Sequence, residues 1–399
     1  MNSKRIAWLA STAPSARRFP NAIVVGDTIY VGSEQLGTAI PAAPPDIETQ
    51  THEAFSTFVA LLEEVGTSMA DLVKLHTYYV YDGEADRATA YWQRMTEVRL
   101  QYIANPGQAG TALRVKAAPV RGRLIAIDGV ASVAPSRVRI MPAHAWDWSM
   151  PTPLSQGWRV GPIVYAGGQI SADRAGKAVA PGDVVQQAIN TMEFLRHVLV
   201  DGGASFHDIV ALKIAYQHRG DDAIAHRVLD DILGVVKPLL EPSQCTLTCL
   251  GVDLLYEGLM LEIDAVAIAG EHETRRIPDD RNACGAPGFA SACRVDDLIH
   301  VGAIGNPDGS SIDAQLRVSI GELEASVRSL DSTLDDVVKL NVFYVSDDAN
   351  DTSDCRRLYE TLHELLPRPG PVLTLVRLVG LPTRGQRVQI DAIARADAR

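Results

Sequence analysis

Val25-Gly26-Asp27-Thr28-Ile29-Tyr30-Val31-Gly32, Val160-Gly161-Pro162-Ile163-Val164-Tyr165-Ala166-Gly167 and Val295-Asp296-Asp297-Leu298-Ile299-His300-Val301-Gly302 are three versions of one phrase. Their closing glycines stand 135 residues apart each time, so the chain reads as tandem copies of one domain of roughly 120 residues. A second phrase follows in the same order: Asp71-Leu72-Val73-Lys74-Leu75, Asp208-Ile209-Val210-Ala211-Leu212 and Asp336-Val337-Val338-Lys339-Leu340, each running on to a tyrosine at 79, 216 or 344. A third closes each copy: Ile125-Ala126-Ile127-Asp128-Gly129-Val130-Ala131, Leu261-Glu262-Ile263-Asp264-Ala265-Val266-Ala267 and Val388-Gln389-Ile390-Asp391-Ala392-Ile393-Ala394. The copies span residues 18–134, 150–270 and 284–397.

Within a copy, the opening Val/Ile/Tyr run ended by glycine predicts a strand, the second arm of a hairpin. Apolar residues then recur at helical spacing, as at Ile189, Met192, Leu195, Val198 and Leu199 or Ile320, Leu323, Val327 and Leu330. A central strand follows, then a second helix ending at Pro238 or Pro367, then two closing strands. The order β-β-α-β-α-β-β is an α+β unit with both helices on one face of a mixed sheet. The bare face needs cover, and the other two sheets are the obvious source. Residues 135–153, with four prolines and Trp146 and Trp148, read as a linker packed on the surface, and 270–287 as a second loop.

Composition narrows the function. The 399 residues are 46% hydrophobic and 22% charged, with a mean hydropathy of +0.02, as in a soluble globular protein. A formal net charge of −12 with no Lys/Arg run argues against a nucleic-acid partner. No stretch reaches the ~18 apolar residues of a membrane span, and residues 1–20 do not read as a secretory signal. Five cysteines, an odd number at 245, 249, 284, 293 and 355, fit free thiols in a reducing cytoplasm. The ten histidines show no metal-ligand spacing, and no Walker A loop, Gly-x-Gly-x-x-Gly or Gly-x-Ser-x-Gly elbow occurs, so neither metal nor cofactor is expected. His76 and His300 read as packed strand histidines, and Cys245 and Cys249 as buried structural thiols.

The phrase order, Tyr165-Ala166-Gly167-Gly168-Gln169, Pro153-Leu154-Ser155-Gln156-Gly157, Gly370-Pro371-Val372-Leu373-Thr374 and the Ile-Asp-Ala-(Val/Ile)-Ala endings resemble the YjgF/RidA family over about 350 residues. That family has a chorismate-mutase-like fold and forms homotrimers with a central barrel, helices outside, and small-molecule sites in the clefts between neighbours. The resemblance implies three such domains fused into an intramolecular pseudo-trimer with a central β-barrel, monomeric or further assembled. Chorismate-cleaving hydrolases share a similar plan, which shows by analogy that it hosts other reactions.

Deaminating members hydrolyse enamines and imines, and hold a substrate carboxylate with an arginine nine residues before the late Leu-Pro. A guanidinium suits this because its fork pairs bidentately with a carboxylate. Counted back from Pro119, Asp253 and Pro382, the matching positions are Gly110, Gln244 and Leu373, none of them arginine. The family's water-activating glutamate matches Asp128, Asp264 and Asp391, which burial would raise in pKa and suit to general-base work; the alternative is a carboxylate that caps the backbone. Arg114 and Arg377 lie four residues further along, about 13 Å away on the same strand face, and either bind an anionic substrate or pair with acidic neighbours. Gly167, Gly168 and Gln169 are expected to leave backbone N–H groups open to a ligand, with Gln244 favouring an uncharged group and Glu34 at the matching place in the first copy. The reading is a cofactor-free, deaminase-like hydrolase acting on a small polar metabolite with a C–N, imine or enamine bond at one inter-copy cleft, and not a standard 2-imino acid deaminase. The alternative is a non-catalytic small-molecule-binding or structural pseudo-trimer.

Overall fold

The computed structural model describes residues 4–8, 18–32, 46–118, 122–240, 244–254, 256–278, 284, 286–308, 310–346 and 352–396. The first segment comprises β1 (Arg5–Ala7), β2 (Ala22–Val25), β3 (Thr28–Gly32), α1 (Ile47–Glu64), β4 (Leu72–Val80), α2 (Ala88–Arg99), β5 (Ala109–Val115) and β6 (Ile125–Ser132). After β7 (Arg137–Ile140) the second has β8 (Gly157–Val160), β9 (Ile163–Ala166), α3 (Val184–Asp201), β10 (Ile209–Gln217), α4 (Asp222–Leu240), β11 (Thr246–Val252) and β12 (Leu261–Ile268). After β13 (Thr274–Pro278) the third has β14 (Ala290–Val295), β15 (Leu298–Ile304), α5 (Ile312–Ser329), β16 (Val337–Tyr344), α6 (Thr352–Leu365), β17 (Val372–Arg377) and β18 (Val388–Arg395).

The repeated phrases have local physical causes. Val25 pairs with Thr28, Val160 with Ile163 and Val295 with Leu298, so each opening hairpin turns on two residues. The first of the two has φ near +55° in every case: Gly26, Gly161 and Asp296. Glycine takes that conformation freely and aspartate tolerates it. The aspartate opening the second phrase belongs to a short 3-10 turn. Asp71, Asp208 and Asp336 each accept the backbone N–H of the residue three before, Ser68, Ser205 or Thr333, in a reciprocal capping box. That turn delivers the chain into the central strand.

Strand pairing repeats with the elements. The closing strand lies between the hairpin and the central strand, and the central strand pairs parallel with the strand after the second helix, in all three segments. The helices bury one face against their own sheet, giving three separate cores. On the opposite face Tyr78, Leu113, Ala215, Leu250, Phe343 and Val376, two residues from each segment, share one cluster. The sheets thus cover one another, as the bare face required. The ladders among the described residues form two open sheets, of six and twelve strands, joined in the larger by a β11–β14 pair; no closed barrel is formed.

The linkers depart from expectation. Residues 135–153 supply β7, which pairs with β8, and 270–287 supply β13, which pairs with β14. Trp146 and Trp148 are buried, not draped on the surface. Helix α4 runs through Pro238 to Leu240. No helix of the described residues is long and apolar enough to cross a membrane.

Asp208→Ala removes an acceptor that satisfies the Ser205 N–H and hydroxyl. It should lower the unfolding free energy by about 1 kcal/mol, read as a lower midpoint in urea unfolding, and Asp208→Asn should lower it less.

Candidate active site

The three closing-strand aspartates meet the central-strand lysines across segment boundaries. Lys74 Nζ lies 3.3 Å from Asp264 Oδ2, Lys213 Nζ 3.1 Å from Asp391 Oδ2 and Lys339 Nζ 3.2 Å from Asp128 Oδ2. Each lysine therefore reaches a different segment: first to second, second to third, third to first. His76 joins the cycle, its Nδ1 3.2 Å from Asp128 and its Nε2 3.1 Å from Asp264. Thr111 donates to Asp264 and Thr374 to Asp128, both at 3.0 Å, while the Asn341 amide donates to Asp391. The lysines, aspartates, His76 and Asn341, with His300, line a cavity of about 90 Å³.

This environment reverses the expected chemistry of two aspartates. Burial pushes the carboxyls of Asp128 and Asp264 up, but Lys339 with His76 and Lys74 with His76 outweigh it and hold both far below the ordinary value of 3.8. A carboxylate held so low is a weak proton acceptor, so they are ion-pair partners in place of the expected raised bases. Burial lowers His300 to about 4, leaving a neutral imidazole at physiological pH.

One pleat along β12 from Asp264 stands Glu262, buried and on the same face. It borders a recess between the first and second segments, lined by Trp92, Arg99, Gly110, Trp146, Trp148 and Gly168 among others, which encloses about 20 Å³. Burial first, and then the Asp264 charge, push Glu262 up to about 8, against smaller lowering by Lys74 and the Ala112 backbone N–H. Its Oε2 has no hydrogen-bond partner. A Cβ added to Gly168 would fall 1.8 Å from Glu262 Oε1, so any other residue at 168 would have to push this carboxyl aside.

The recess wall is locked by amides. Trp146 Nε1 donates to Gln169 Oε1 at 3.3 Å, Gln169 Nε2 donates to Gln156 Oε1 at 2.9 Å, and Gln156 Nε2 returns to the Trp146 carbonyl at 2.9 Å. Trp146 packs on Trp148 with centroids 4.9 Å apart, and Trp92 meets Tyr256 edge-on at 5.5 Å. Register pairs Ala215 with Glu262, Tyr78 with Ala126 and Phe343 with Gln389, so the acid is present in one of three equivalent places. Gln389 instead donates to the Cys249 carbonyl.

Other expected site residues are placed elsewhere. Gln244 is exposed before β11 begins; register makes Leu247, opposite Leu212, the counterpart of Gly110 opposite Leu75 and Leu373 opposite Leu340. The N–H groups of Gly167, Gly168 and Gln169 are not open, since they donate to Gln156, Gly110 and Ile263 carbonyls. Arg114 pairs with Asp253 of the second segment at 2.9 Å, donates to the Tyr81 carbonyl and lies over the Tyr81 ring. Arg377 donates to the Ser346 carbonyl at 2.6 Å, and neither arginine lines the recess. Glu34 lies outside the described residues. Sequence reasoning passed over Glu262, Arg99 and Trp92; the one available signal was an acid at 262 where the sister phrases carry Ala126 and Gln389.

The family comparison covers the first two segments. The family model described as endoribonuclease L-PSP matches residues 10–133 and 149–269, more than half of the chain. A RutC family protein of Pyrococcus abyssi is 26% identical over 29% of this chain and 85% of its own length. Protein DfrA of Myxococcus xanthus is 34% identical over 29% and 86%, and the mouse 2-iminobutanoate/2-iminopropanoate deaminase 25% identical over 30% and 82%. Among solved structures, a chorismatase is 15% identical, covers 62% of this chain and 76% of its own, and has a TM-score of 0.47. A Mycobacterium tuberculosis member of the YjgF/YER057c/UK114 family is 23% identical, with 31% and 100% covered and a TM-score of 0.28.

Removing one partner of the ion-pair cycle leaves a buried charge alone. Lys74→Met should cost roughly 3–5 kcal/mol, and adding Asp264→Leu should restore much of it, as read by urea unfolding. Asp128 and Asp264 have depressed folded pKa values, so their stabilisation is complete above about 3.8 and is lost as pH falls below it. Acid unfolding in that range should be shallower in the Lys74→Met/Asp264→Leu variant.

Proposed function

The chain belongs to the endoribonuclease L-PSP family, the YjgF/RidA family, and on that premise we propose that it is a cofactor-free, deaminase-like hydrolase of a small polar metabolite. Family membership supports a small-molecule deaminase or endoribonuclease-like role; the charge of −12 and the lack of a basic run weigh against RNA. The five free cysteines fit a cytoplasmic setting. The reaction takes place in the recess between the first and second segments, within a pseudo-trimer whose three parts are held by the lysine–aspartate cycle.

One observation carries the reading: Glu262 is a buried carboxyl with an unpartnered oxygen, neutral near pH 7, facing an aromatic recess. A neutral carboxylic acid can donate its proton to an imine nitrogen. The iminium carbon is then attacked by water as the new carboxylate takes up a water proton; after that proton passes to nitrogen, ammonia leaves as the carbinol hydroxyl gives its own proton back to the carboxylate, so a carbonyl remains and the acid is restored. Atoms balance as one C=N bond plus one water giving one C=O and one NH₃. No metal or cofactor is needed for these transfers. On the sequence count Gly110 stands in place of the family's strand arginine, and in this reading that grip on a carboxylate is missing.

Ammonia release from imines generated in situ, 2-iminopropionate first, tests the assignment. Glu262→Gln, the residue the third segment carries naturally at 389, should cut the rate by about 10²–10⁴-fold. In the wild type, kcat/KM should fall as pH rises through about 8, where the acid form is lost. A Glu262→Gln variant with unchanged turnover would falsify the role.

A further inference from the structure

Helix α2 buries an arginine. Arg99 is 2% exposed and lines the recess bordered by Glu262 and the three tryptophans. Its Nε has no partner, and among the described residues neither an ion pair nor a hydrogen bond involves its side chain. The Phe55 ring, 6.0 Å from the guanidinium carbon, is its one charge-related contact, at the limit of a cation–π interaction. An isolated buried cation is costly, and such groups are ordinarily paired. The counterpart helix α4 buries only apolar residues, among them Val228, Ile232 and Val236, so the fold does not require a cation at this position.

The titratable neighbours supply no counter-charge at neutral pH. Burial lowers Arg99 only to about 10, so it stays charged, and the groups that bear on it are Tyr256 and Tyr79. Burial pushes Tyr256 up to about 12 and Tyr79 higher still, so both are uncharged phenols. Glu262 is itself a neutral acid there. Leu247 and Leu373 stand in their segments where Gly110 stands here, so this boundary lacks the side chain that the other two carry at that position.

We propose that Arg99 is the anion-binding, specificity-determining residue of this recess, and that its ligand is a compact monocarboxylate whose carboxylate pairs with the guanidinium while its reacting carbon faces Glu262. The missing strand arginine is thereby replaced from the overlying helix, and the substrate is anionic, contrary to what an uncharged Gln244 anchor implied. A planar fork buried beside an aromatic wall presents two parallel donors to a carboxylate and excludes the water that would weaken the pair. The inference rests on the recess being the active site.

The experiment titrates the full chain with pyruvate and with its neutral isostere pyruvamide, following the fluorescence of Trp92, Trp146 and Trp148 and confirming by calorimetry. Pyruvate should bind saturably, and pyruvamide and the Arg99→Gln variant with pyruvate should each be weaker by about 10- to 100-fold, the worth of a charged hydrogen-bonded pair. Arg99→Lys should recover part of the affinity, since it keeps the charge and loses the fork. Equal binding of pyruvate and pyruvamide by the wild type, or no saturable pyruvate binding, overturns the proposal without recourse to any variant. So does a folded Arg99→Gln variant that binds pyruvate as the wild type does. Glu262→Gln should keep pyruvate binding while losing turnover. If it keeps turnover while Arg99→Gln loses pyruvate, the catalytic reading fails and the anion site stands; the converse pattern isolates the failure to Arg99.

Discussion

Three buried lysine–aspartate pairs tie the chain into a cycle, and the candidate site depends on them. Each segment contributes one lysine and one aspartate, and in each pair the two come from different segments. A segment folded alone would leave its lysine and aspartate open to water, and assembly buries both, so each needs its partner from a neighbouring segment to avoid a penalty of several kcal/mol per unpaired ion. The pairs therefore fix which faces meet, whatever their net worth against an apolar packing. The cycle is not symmetric. Lys74 and Lys339 sit at one strand position, where the second segment has Ala211; Lys213 sits two residues later, where the others have His76 and Asn341. His76 can consequently bridge two aspartates, and Asn341 holds the third.

The cycle also sets the chemistry next to it. Asp264 and Glu262 share a strand, a face and near-complete burial, yet one is held ionised and the other neutral. The Lys74 ammonium and the His76 ring lie on Asp264, whereas Glu262 has one backbone N–H and the Asp264 charge one pleat away. Moving a carboxyl by about 7 Å, two strand residues, passes it from a site of cations to a site of tryptophans. The ionised aspartate then helps keep the glutamate protonated, so a structural ion pair doubles as a tuning charge for the neighbouring acid.

The fold was legible because its determinants are local. A two-residue hairpin with a left-handed first position, a Ser/Thr-x-x-Asp capping box and alternating strands leave their mark within eight residues, three times over. The recess left no such mark. Its walls come from α2, a linker, β5 and β12, which only the tertiary fold brings together, and the linker tryptophans looked like surface packing until β7 paired with β8. Counting residues back from a late landmark placed Gln244 where Leu247 belongs, because the second segment departs from the Leu-Pro pattern that the count assumed. The aspartates drew attention because they recur, and the same search passed over Glu262 because it does not.

That bias has a physical basis that applies to any fused repeat. Positions that hold segments together must be satisfied at every boundary, so Lys/Asp pairs, turns and caps recur. A catalytic group answers to no such demand and is needed once. At the places equivalent to Glu262, Ala126 leaves nothing to titrate and Gln389 spends its amide on the Cys249 carbonyl, which closes the second boundary as packing. Arg99 likewise lacks a charged counterpart on the buried face of α4. In this chain the recurring residues identify the scaffold, and the candidate chemistry sits where repetition fails at one boundary while the scaffold around it remains intact.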